Sequence, residues 1–253
     1  MRIILAIAKN TFKELIRDRL FTILLTFGIL FVLSSIILGS ISLGQDIKII
    51  KDLGLAAIYL FTLISTLFLG SSLISKEFEK RTIYLIFSKD VRPAQFITGK
   101  FLGFLSCLIL NIFLMGLIYL LVILVKSKSF DLPAVLALLF NIFEMSIIAS
   151  LLILFSSFAR PLSAFIYGII FVYIGHSLPL LLQATIKSGH LAKTLVLLVY
   201  NLLPNLEKFN IRNSVVYGLS PTLAQFSSAL IYAAGFTIIF LWLTSLVLEK
   251  QEY

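Results

Sequence analysis

The chain has 253 residues, 60% of them hydrophobic and only 13% charged, with a mean hydropathy of +1.07. Soluble domains are about one-quarter charged, so the polar coat that a water-soluble fold needs is missing. The net charge of +9 falls between apolar blocks, which fits loops beside anionic lipid and argues against nucleic acid as the partner.

Residues 1–20 carry Arg2, Lys9, Lys13, Glu14, Arg17, Asp18 and Arg19. Charge spread this way is unlike a cleavable signal. Ile4, Ala8, Phe12, Leu15 and Ile16 recur at helical spacing, and Lys9, Lys13 and Arg17 line another face. This predicts an amphipathic helix in the interface, apolar face in lipid. It serves either as an orientation anchor or as an elbow helix packed on a neighbouring element.

A spanning helix needs about 20 mainly apolar residues. The first such block is 21–43, where Gly28, Ser34, Ser35 and Gly39 suit close helix contact, including contact between copies. The second is 53–74. The connector 75–100 follows, far richer in charge than any other: Lys76, Glu77, Glu79, Lys80 and Arg81 open a short helix with an apolar tail over 83–87, and 88–93 makes a turn. It is read either as a solvated loop or as a docking segment, with charges for register and apolar groups for adhesion. The third block is 101–125.

The fourth, 132–158, is entered through Pro133 with Asp131 placed to cap it. It carries Glu144 near its middle, and ionisable groups there are costly and often functional. Asn141 shares its face, and Asn111 of the third block is placed to meet that face. Glu144 is read as a packing hydrogen-bonder, a gate or substrate contact, or a proton-coupling group. In the fifth block, 162–184, His176 lies between Gly175 and Pro179, a setting for a helix break steadied by a polar ring.

The outer loop 185–221 contains an apolar stretch, 191–203, ended by Pro204. Thirteen residues are too few to span, so it is read as an interfacial or re-entrant helix; a seventh crossing would move the C-terminus outside. The sixth block, 222–248, opens at Ser220-Pro221. With the N-terminus inside, thirteen Lys and Arg fall on the cytoplasmic side and eight on the outer side. The expected fold is therefore all-α integral membrane, six transmembrane helices in one domain, with both termini cytoplasmic. The single Cys107 allows no intrachain disulfide, and His176 and His190 make no metal motif. No catalytic, cofactor or metal set is read from the residues.

Several pieces in order resemble the ABC-2 type permeases, the membrane subunits of ATP-binding-cassette exporters. IAKNTFKELIRDRLF resembles the family's N-terminal elbow, and SKEFEKRTIYLIFSKDVRPAQFITGKFLG its cytoplasmic coupling segment between spans two and three. LFSSFARP resembles the end of the fourth span, LLPNLEKF the outer segment before the last, and EKQEY the charged tail. The resemblance implies that Lys76, Glu77, Glu79, Lys80 and Arg81 contact a cytoplasmic cassette ATPase, which holds the ATP and Mg. It also implies a second permease copy, the same chain or a related one, in a cytoplasmic (inner) membrane. The chain has no G-x-x-x-x-G-K-[ST], so phosphate binding is expected on another subunit. The function so implied is a non-enzymatic permease subunit of an exporter, with Glu144, Asn141 and Asn111 in the path or in packing. The alternatives are a stand-alone ion-coupled carrier, supported by the single central carboxylate, and a polytopic membrane enzyme, for which one ionisable group is too few.

Overall fold

The computed structural model describes residues 1–41, 45–88, 91–184 and 190–250, and every regular element among them is helical. The end of the first expected span at 42–43, the centre of the expected turn at 89–90, Lys187 and the tail 251–253 lie outside the described residues.

Six helices are long and apolar enough to cross a membrane: α2 (Arg19–Ser40), α3 (Asp46–Ser71), α6 (Pro93–Ser127), α7 (Leu132–Phe158), α8 (Pro161–Ala184) and α11 (Leu223–Glu249). At 1.5 Å per residue even α2 reaches about 33 Å, enough for a hydrocarbon core of about 30 Å. Their outward faces are apolar: Phe27, Ile37, Phe113, Leu121, Tyr173 and Ile231 are all exposed. This is the surface of a multi-pass membrane protein, whose backbone polar groups are satisfied within helices and whose side chains face lipid.

The ends of these helices follow local chemistry. Asp18 caps α2, accepting from Leu20 N at 2.9 Å. Arg92 N donates to Gln95 Oε1 at 3.4 Å and Pro93 opens the first turn, so α6 starts well before the apolar block at 101. Thr222 and Gln225 form a reciprocal cap at the start of α11, two residues beyond the Ser220-Pro221 opening read from sequence. Asp131 occupies the cap position of α7 but makes no capping bond. Its carboxylate instead pairs with Lys51 at 2.7 Å, because α3 begins at Asp46 and carries Lys51 to the same end of the bundle.

α7 is the centre of the bundle and packs against α3, α6, α8 and α11. Its Met145, Ile147, Ile148, Leu152 and Ile153 are fully enclosed. Small residues let the helices approach closely. A Cβ on Gly54 would lie 2.5 Å from the Tyr119 ring, and one on Gly28 2.5 Å from Met115 Cε. Gly39 is likewise filled by Ile50. Gly28 and Gly39 of α2 therefore serve packing within the chain.

The N-terminal helix α1 (Arg2–Ile16) lies along the start of α6. Thr11 and Leu15 are buried there, with Ile7, Phe12 and Ile16 packed beside them. The inner face of α1 thus meets protein rather than lipid. Two short helices, α4 (Ser75–Glu79) and α5 (Thr82–Phe87), follow α3. The single helix expected there is broken at Arg81, whose φ of 55° is left-handed. After α8 comes α9 (His190–Leu202), at thirteen residues about 20 Å long and too short to cross. A 3-10 turn (Leu206–Phe209) and α10 (Arg212–Val216) complete the connector to α11.

Candidate functional site

Two groups of polar side chains stand out against the apolar bundle, one at the α4 end and one within it. At the α4 end, Lys100 of α6 is enclosed, with only 4% of its side chain exposed. It donates to Glu77 of α4 and lies 3.9 Å from Glu14 of α1. Thr82 of α5 also donates to the Glu77 carboxylate. Burial alone would raise the Glu77 carboxyl, but the Lys100 charge and the bonds from Lys100 and Thr82 outweigh it and hold it below the usual carboxylate range. Lys76 reaches Asp18 at 3.6 Å. These bonds tie α1, α4, α5 and α6 into one unit at the foot of α3.

Of the five residues expected to face a partner, Glu77 is turned inward and Lys76 is half-engaged by Asp18. Glu79, Lys80 and Arg81 are exposed. They form a charged tip carried by the internal cluster.

The second group lies about 18 Å along α7, where Glu144 is 1% exposed. Tyr59 of α3 donates to Glu144 Oε1 at 2.8 Å, and its oxygen is 2.8 Å from His176 Nε2. His176 of α8 bridges two carboxylates: Nε2 is 3.0 Å from Glu144 Oε1, and Nδ1 is 2.9 Å from Glu207 Oε2. A neutral imidazole has one N–H, so donation to both partners requires the doubly protonated ring.

Glu207 is delivered by the 3-10 turn. Asn205 caps the turn by accepting from Glu207 N at 3.0 Å, while Asn205 N donates to the Tyr232 hydroxyl at 2.8 Å. Lys208 sits 4.2 Å over the Tyr232 ring. Leu206 is fully buried against Gly175, where any Cβ would come within 2.8 Å of it. Gly175 and Pro179 therefore do not break α8, which runs unbroken to Ala184. Gly175 makes room for the connector, and His176 beside it holds the connector's carboxylate.

A cavity of about 290 Å³ adjoins this cluster. Glu144 and Asn141 line it together, as their shared helix face required, with Glu207, His176, Tyr59 and Arg212. Arg212 is held by Asp52 at 3.0 Å. Asn111 is not among the lining residues; it accepts from Thr62 at 3.4 Å inside the α3–α6 contact. Tyr59 and Glu207 were not singled out by sequence. Tyr59 is one of nine tyrosines with no distinguishing pattern, and Glu207 is joined to His176 across 31 residues, a pairing that no local periodicity encodes. Among the described residues no group of three His, Cys, Asp or Glu is arranged to hold a metal ion. No family model matches this sequence, and no curated protein matches it, so the functional reading stands on the residues and geometry of this chain.

Proposed function

We propose that this chain is the permease subunit of an ATP-driven exporter of the ABC-2 type, seated in a cytoplasmic (inner) membrane with both termini in the cytoplasm. The observation that carries the reading is the exposed tip Glu79–Lys80–Arg81, fastened through Glu77, Lys100 and Glu14 to α1 and α6. A tip bound this way passes a push from outside to the foot of α3 and the start of α6 together. A solvated loop would absorb it. The tip acts as the handle on which a cassette ATPase, holding ATP and Mg, closes. Two such permeases, identical or related, would make the pair that a two-fold assembly needs. The excess of Lys and Arg on the α4 side supports the cytoplasmic orientation.

Affinity purification of the full chain from its native membrane tests this reading. A cassette ATPase should co-purify, and reversing charge at Glu79 and Arg81 should release it while insertion and fold stay intact. Recovery of the chain with no ATPase would overturn the exporter reading.

The Tyr59–Glu144–His176 contact favours a second reading, a carrier that couples transport to protons. Under it, Glu144→Gln abolishes the pH dependence of transport in proteoliposomes that contain this chain alone. Under the exporter reading such proteoliposomes transport nothing without the ATPase.

A further inference from the structure

We propose that the cavity beside Glu144 is a binding site for a small organic cation, an ammonium head on a short apolar body. Asn141 lines this cavity and is 8% exposed, and its Oδ1 has no hydrogen-bond partner among the described residues. A buried amide oxygen left this way is destabilising, and a donor entering the cavity relieves it. Glu144 lies one helical turn on. Tyr59 and His176 both address its Oε1, and no described side chain bonds Oε2. Two open acceptors thus sit side by side on α7.

The charge balance selects the sign of the ligand. His176, doubly protonated or not, offsets at most one of the two carboxylates it bridges, Glu144 and Glu207. Arg212, the other cation at the cavity, is engaged by Asp52. One negative charge is left over, shared between buried Glu144 and half-exposed Glu207. A cation relieves this and an anion worsens it.

Geometry separates an ammonium from a metal ion. Glu144 and Glu207 contact opposite nitrogens of one ring, so they do not converge on a point as metal ligands must. An ammonium has three divergent donors and needs acceptors that are spread out. Leu55, Ile58, Leu138 and Phe209 line the remainder and suit an alkyl or aryl body. A volume of about 290 Å³ is at the small end of ligand pockets, which begin near 300 Å³. The inference rests on the cavity alone and holds whether or not an ATPase partners this chain.

The test uses the purified full chain in lipid nanodiscs with no ATPase present, so its failure leaves the exporter reading to its own experiment. Benzylammonium, benzyl alcohol and benzoate are titrated, with binding to empty nanodiscs subtracted. Benzylammonium should bind saturably, and the neutral and anionic isosteres about tenfold more weakly or not at all. Glu144→Gln and Asn141→Ala should each weaken the amine by about tenfold, whereas Asn141→Asp should retain it. Ala137→Phe fills the cavity without removing a polar group and should block it. Thermal melts report folding, and should Glu144→Gln not fold, Asn141→Asp and Ala137→Phe decide. The proposal is overturned by no saturable amine binding, by equal binding of the alcohol, or by amine binding that Ala137→Phe leaves unchanged.

Discussion

Lys100 shows how far a single residue departs from what its sequence neighbourhood announces. In GKFLG it stands just ahead of the third apolar block, a place from which a lysine commonly reaches the headgroups. In the structure it is enclosed, bonded to Glu77 and near Glu14, because Gly99 and Gly103 draw α1 down over it. Breaking an enclosed ion pair from one side leaves the other charge uncompensated, which costs about 3 kcal/mol. Lys100→Met should therefore destabilise the protein by about that amount in thermal or denaturant unfolding. The Lys100→Met/Glu77→Gln double variant should recover most of the loss, and failure to recover would remove the pair from the account. The pH dependence follows from sign. The Glu77 carboxyl is held low in the folded chain, so its contribution is full above the usual carboxylate range and lost as pH falls through the folded value. The stability gap between wild type and Glu77→Gln should close on acidification and stay constant from neutral pH upward.

At the scale of elements, the contact of α1 with α6 depends on two glycines more than on the apolar pattern of α1. A Cβ on Gly103 would lie 2.5 Å from the Ala8 carbonyl oxygen, a backbone atom that cannot rotate away. Gly103→Ala should lift α1 from α6, seen as about tenfold faster amide exchange over Arg2–Ile16. Gly235, with open space around it, is the control: Gly235→Ala should leave exchange in α1 unchanged and add about 0.5–1 kcal/mol through helix propensity. Equal effects of the two substitutions would mean that α1 is not held by close approach. The same contrast explains what was legible in the sequence. Length and hydropathy place 132–158 and 162–184 within a residue of α7 and α8, because a bilayer demands continuous apolar helix. The early starts of α3 and α6 were hidden, because Lys51 and Lys100 look like loop charges until their partners on other helices are seen. Shared helix face put Asn141 with Glu144, while the link from His176 to Glu207 needed the fold-back of the connector.

For the whole molecule, the number of crossings decides where the charged tip and the connector lie. Antiparallel packing of α2, α3, α6, α7, α8 and α11 puts the α4–α5 segment at one end of the bundle and α10 at the other, where Arg212 meets Asp52 near the start of α3. α9 is too short to add a crossing. Cysteines placed singly at Glu79, Ser214 and Lys250 in a Cys107→Ser background report this directly, since all three native positions are exposed. An impermeant maleimide on intact cells should label position 214 and spare 79 and 250, which should react only after permeabilisation. Labelling of 250 with 214 spared would mean a seventh crossing and would force α9 through the membrane. Labelling of 79 from outside would invert the protein and remove the handle from any cytoplasmic ATPase, so the topology and the proposed coupling are decided by the same three positions.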